Sequence, residues 1–92
     1  MKGYVYIDND RNLSVRSKDF IDNEDPYFWS RNAHIIDTVW QFDSDNEDSM
    51  YRILSTLRRY ELKNEVVVNF CASIGFDLEA FLIKQRTKPI TK

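Results

Sequence analysis

The chain has 92 residues, thirteen of them aromatic against two Gly and two Pro, and a net charge of −2. This is material for one core and not two, because so short a chain buries only about two-thirds of its unfolded surface, and its many rings exclude a disordered polymer. A single cysteine, Cys71, excludes an internal disulfide and a multi-cysteine zinc cage, and apolar runs no longer than four residues ("YVYI", "AFLI") exclude a membrane-spanning helix.

The N-terminus "MKGYVYIDND" passes into a polar turn where a secretory signal would stay apolar. A complete, cytoplasmic chain without membrane attachment is expected, organised as one domain over residues 1–92 with a frayed tail at 87–92. Charge is unevenly divided: residues 1–48 carry five basic and eleven acidic side chains, net −6, and residues 49–92 carry eight and four, net +4. Such polarity can orient a charged partner, and it also arises wherever acidic loops precede helices with basic ends.

In chain order, "GYVYID" and "NLSVRS" alternate apolar and polar residues around a turn-forming "NDR" and predict a β-hairpin with Val5, Ile7, Leu13 and Val15 on the core face. The acidic "KDFIDNEDP" ends in Asp25, an N-cap candidate, and Pro26, pre-set for the first turn of a short helix through "PYFWSRN". From His34 the period changes. "HIIDTVWQFD" puts Ile36, Thr38, Trp40 and Phe42 on one face and Asp37 and Gln41 on the other, predicting a third strand. In "SDNEDSMYRILSTLRRYEL", Ser44 and Glu47 have capping-box spacing, Met50, Ile53, Leu54 and Leu57 recur at helical intervals, and Arg58 and Arg59 suit a helix C-terminus.

The next segment, "NEVVVNFCASIG", has a valine triplet with strand propensity, yet Val67, Phe70, Cys71 and Ile74 share one helical stripe. Gly75 followed by Phe76 fits a Schellman ending and favours helix. Asp77 can cap "LEAFLIKQR", where Leu78, Phe81 and Leu82 repeat the apolar face. The expected fold is α+β, in the order β-β-α-β-α-α-α, with the hairpin and third strand forming a small antiparallel sheet against the C-terminal helices. The alternative makes "EVVVNFCA", within residues 65–74, a fourth strand.

Residues 71–82, "CASIGFDLEAFL", resemble the closing helix pair of repressor-type helix-turn-helix domains. The likeness covers these twelve residues, is built of general capping devices and assigns no family. A DNA-reading helix presents basic and amide side chains, whereas the first helix offers Glu65, Asn69 and Ser73 and the second Glu79, Lys84 and Gln85. Packing against the core is expected in place of groove insertion.

Asp8, Asp10 and Asn12, and again Asp43, Asp45 and Glu47, have the alternate spacing of calcium-loop ligands. Both runs lack the later glycine and glutamate, so a hairpin turn and a capped helix start are expected, with no metal or cofactor. His34 is the lone histidine, and pairing it with Cys71 would join a strand to a core-facing helix stripe. No catalytic residue is assigned.

Two surfaces remain. Tyr27, Phe28 and Trp29 are consecutive, and a helix cannot turn three neighbouring rings toward one core, so at least one ring should be exposed, with Arg31 beside it. The same rings can also lie over the hairpin as a lid. Arg52, Arg59 and Lys63 have the spacing of a basic stripe on the main helix. The expectation is a non-enzymatic protein-interaction module, an adaptor, inhibitor or subunit, binding a protein partner or a second copy through the aromatic segment and acidic loops. The alternative is a nucleic-acid-binding regulator using the basic stripe and the helix pair, which the acidic N-terminal half disfavours.

Overall fold

Strands β1 (Lys2–Asp8), β2 (Leu13–Ser17) and β3 (Ile36–Asp43) form an antiparallel sheet in the order β2-β1-β3 in a computed structural model that describes residues 1–87. The hairpin register sets Ile7 opposite Leu13 and Val5 opposite Val15, which puts all four on one face, as their alternation predicts. Its loop is a tight turn. Arg11 N–H donates to the Asp8 carbonyl at 3.0 Å, Arg11 has φ +67°, and the Asp8 carboxylate accepts the backbone N–H groups of Asp10 and Asn12. This is the three-residue hairpin loop with a left-handed last position, here filled by an arginine where glycine is usual.

The third strand pairs with β1 from Lys2 opposite Asp43 to Ile7 opposite Thr38, and then slips, so that Asp8 faces Ile36. The slip leaves Asp37 as a bulge and turns Ile36 to the opposite face. Ile36 therefore packs against the cluster of Tyr6, Ile21 and Phe28 and does not share the face of Thr38, Trp40 and Phe42, which corrects the simple alternation. One extra residue in a strand reverses every later side chain.

Three helices cover the face of Val5 and Ile7: α2 (Glu47–Arg59), α3 (Asn64–Ser73) and α4 (Leu78–Thr87), while α1 (Phe28–Asn32) lies earlier in the chain. Val5, Ile7, Phe42, Met50, Leu57 and Cys71 are the most deeply buried of this core. Gly3 is required there, because an added Cβ would sit 2.8 Å from the Arg16 backbone oxygen and 3.2 Å from the Phe42 ring. The N-cap of α2 is Asn46, whose side chain accepts from Ser49 N–H at 3.0 Å; Ser44 is held back by its N–H bond to the Met1 carbonyl. The capping-box assignment to Ser44 is thereby corrected by two residues, the length of the turn that leaves β3.

Residues 65–74 are helical up to the cap residue Ile74, and the Schellman ending is complete. Phe76 N–H reaches the Cys71 carbonyl at 2.9 Å, Gly75 N–H reaches Ala72, and Gly75 has φ +72°. Asp77 caps α4 through Ala80 N–H at 3.0 Å. The frayed tail expected at 87–92 falls, beyond Thr87, outside the described residues.

The second sheet face is covered by shorter pieces. Residues Phe20–Glu24 make one π-helical turn closed by Asp25 N–H to the Phe20 carbonyl, and α1 follows. The acidic stretch read as loop thus buries Ile21. Asp25 is not the N-cap of α1, which starts at Phe28 after Tyr27. Its carboxylate is taken by Arg31 instead.

Candidate interaction surfaces

Tyr27, Phe28 and Trp29 diverge as consecutive helical residues must. Phe28 is buried and Trp29 half-buried, whereas Tyr27 is 73% exposed. Trp29 meets Tyr4, Tyr6 and Phe28 edge-on at centroid distances of 5.4, 5.6 and 4.9 Å, and Phe28 meets Phe20 at 6.4 Å. The Arg16 guanidinium lies 5.2 Å from the Phe28 centroid. Two rings of the triplet therefore form a lid over Tyr4 and Tyr6, and the third stands outside it. Arg31 ties the segment to Asp25, and that guanidinium holds the Asp25 carboxyl below the ordinary carboxylate range. Trp40, on the helix-covered face, is also half-buried, with Tyr60 edge-on at 5.3 Å.

The basic stripe is shorter than its spacing suggests. Arg52 and Arg59 are exposed on α2, but the helix ends there, and Glu61 at φ +54° redirects the chain so that Lys63 becomes the N-cap residue of α3. A seven- and four-residue rhythm holds only while the helix continues.

The acidic runs are spent on local structure: Asp8 in the hairpin turn, Asp43 on Asp45 N–H, Asp45 on the Met1 amino group and Glu47 on Lys84. Among the described residues no three metal-ligating side chains converge. His34 is exposed in the turn before β3, its carbonyl accepting from the Asn9 amide, while Cys71 is buried in the helix-side core. Burial pushes the Cys71 thiol up to about 11, which keeps it protonated and a poor nucleophile near neutrality.

Two clefts escape a linear reading. One, of about 450 Å³, lies between α2 and α4 and is lined by Tyr51, Leu54, Leu62, Leu78 and Phe81, with Leu82 at its rim 46% exposed. Among the described residues of α4, Phe81 alone of the apolar side chains is buried. The other, about 540 Å³, runs along β2 beside α3. The only advance signal of the second was Val66, Asn69, Phe70 and Ser73 recurring at i, i+3, i+4 and i+7 beside the core stripe.

The α3 and α4 axes bend by 113° across the intervening residues 74–77, and no single described helix is long and apolar enough to cross a membrane. No protein-family model, curated protein or solved structure matches this chain.

Proposed function

We propose that the chain is a non-enzymatic, cytoplasmic protein-interaction module that presents Tyr27 to a protein partner. The observation that carries this reading is the exposure of Tyr27 beside two anchored rings: an aromatic side chain has only two torsions to fix and so loses little entropy when a partner covers it. Glu24 is exposed on the adjoining π turn, where Asp22 is already paired with Lys18, so the matching surface is apolar with a basic group at its rim. A second copy could supply it, since Arg52, Arg58 and Arg59 are exposed on α2. The free thiol of Cys71 suits a reducing compartment.

The test is Tyr27→Ala. Because the ring is mostly in solvent, folding stability should stay within about 0.5 kcal/mol, while binding weakens by roughly thirtyfold, the loss of one interfacial ring worth about 2 kcal/mol. Sedimentation of the pure protein reads self-association, and co-purification from the native host, quantified for both variants, reads a heterologous partner. Identical association by wild type and Tyr27→Ala in both assays overturns the reading.

One observation favours a second reading, a nucleic-acid-binding regulator. The 113° bend and the four-residue connection containing Gly75 have the geometry of a helix-turn-helix. Against it, α4 exposes Glu79, Leu82 and Ile83 where basic and amide groups belong, and its exposed Lys84 is paired with Glu47. It requires duplex binding that falls with salt and disappears in Arg52→Ala/Arg59→Ala.

A further inference from the structure

We propose that the groove between β2 and α3 binds an extended acidic peptide segment of a partner protein as a fourth strand of the sheet. The proposal goes beyond the Tyr27 reading and concerns a different surface. It starts from the hydrogen-bond register. Asp8 N–H donates to the Asn12 carbonyl, and Tyr6 pairs with Ser14 and Tyr4 with Arg16, so residues 12, 14 and 16 turn their backbone groups toward β1. Leu13 and Val15 must then turn theirs outward. The Val15 carbonyl accepts the guanidinium of Arg16 at 2.8 Å, but the N–H groups of both residues and the Leu13 carbonyl have no hydrogen-bond partner among the described residues. They form a short unpaired template for another strand.

What distinguishes this edge from an ordinary one is the helix beside it. All of residues 11–16 line the cleft, and since their side chains alternate between the two sheet faces, the cleft must run along the strand's edge. Its other wall is one stripe of α3, made by Val66, Asn69, Phe70 and Ser73. A strand laid against Leu13 and Val15 would place alternate side chains on Val66 and Phe70, while Asn69 and Ser73 offer polar contacts. Five residues of β2 extend over roughly 17 Å, room for a peptide of about that length.

Charge selects the occupant. Arg11 and Arg16 stand near the two ends of β2, and among the described residues neither pairs with a carboxylate: Arg11 bonds to the Tyr60 carbonyl and Arg16 to Val15, over the Phe28 ring. The opposite free edge, β3, is flanked by Asp37 and Asp43 and bulged at Asp37, so an acidic strand is repelled there. A second copy does not suit the groove, because a β2 edge would bring four arginines together and a β3 edge would bring its own sheet and helices against α3.

The experiment pans a displayed library of random nine-residue peptides on the wild-type protein and on Arg11→Glu/Arg16→Glu, then maps one enriched synthetic peptide by amide shifts on labelled protein. Enrichment of peptides alternating apolar with acidic residues is expected on wild type only, with shifts centred on Leu13, Val15 and Asn69 and slowed hydrogen exchange at the first two. N-methylating the peptide amides that face β2 should weaken binding by roughly tenfold or more, and N-methylating the alternate set should not. That comparison is independent of any effect of the arginine variants on folding. No enrichment, shifts centred elsewhere, or equal tolerance of both methylation patterns overturns the groove, as does concentration-dependent self-association lost in Arg11→Glu/Arg16→Glu. Tyr27→Ala should leave peptide binding unchanged, so failure of the groove and failure of the Tyr27 reading give different results.

Discussion

The two faces of this sheet are stabilised in different ways. On one, three helices close over Val5, Ile7 and Phe42 with side chains almost wholly withdrawn from water. On the other, a single π turn and the five-residue α1 rest on Tyr4 and Tyr6 through ring edges and the Arg16 guanidinium. A helix of five residues has no stability of its own, so the lid persists only by tertiary contact. The difference teaches where the molecule is free to act. The thick face sets the fold, and the thin one can give way locally and carries the most exposed ring.

The sharpest way to break that contrast is to truncate one ring on each face. Phe42→Ala should cost about 3–5 kcal/mol, since it empties a fully enclosed site and removes the contact with Phe70. A denaturant melt should show the whole domain weakened. Trp29→Ala should cost less, about 2 kcal/mol, because its ring is only half-buried although it has three ring neighbours. Hydrogen exchange should then rise in residues 20–32 while the α2 amides keep their protection. If the α2 amides open equally, the two faces form one cooperative unit and the distinction fails.

A smaller effect isolates backbone from packing on the thick face. Gly75 has φ +72°, and nothing lies within 4 Å of where its Cβ would be. Gly75→Ala should therefore cost only the conformational penalty, about 1 kcal/mol, and Gly75→Asn less, since Asn tolerates that region. Equal melts for wild type and Gly75→Ala would mean that the helix end is not held by this cap.

The smallest effect belongs to the hairpin that joins the faces. Hydrogen bonds from the Asn12 backbone, and then Asp10, hold the Asp8 carboxyl below its usual value. A group whose folded value is depressed contributes stability that is fully present above its unfolded value, near 4, and is lost as pH falls through the lower folded value. Asp8→Asn should flatten the acid limb of the stability curve below about pH 4 and leave its upper part unchanged in shape. An acid limb identical to wild type would show that the turn does not depend on this charge.

Much of the fold was legible because it is written in short-range terms. The hairpin face, the third strand, α2 and the Gly75 cap depend on alternation, helical spacing and turn chemistry within a dozen residues. Two misreadings occurred where a neighbour distant in sequence intervened: the bulge at Asp37, opposite β1, moved Ile36 to the lid side, and Met1 drew Ser44 away from the helix cap. A third was local, the left-handed Glu61 after α2 taking Lys63 off the basic stripe. Of the candidate site, the sequence shows that three consecutive rings cannot share one core, but not which of them is left outside.

By itself, then, the sequence determined the α+β class, the order of elements and the side chains that one face must bury, because periodicity and capping are properties of the chain alone. Only the tertiary structure decided that Phe28 and Trp29 close a second core over Tyr4 and Tyr6 while Tyr27 stays in water, and that α3 stands beside the free edge of β2. Both outcomes depend on which face of the sheet each connection crosses. That choice is made by contacts between residues far apart in the chain, which leave no local pattern to read.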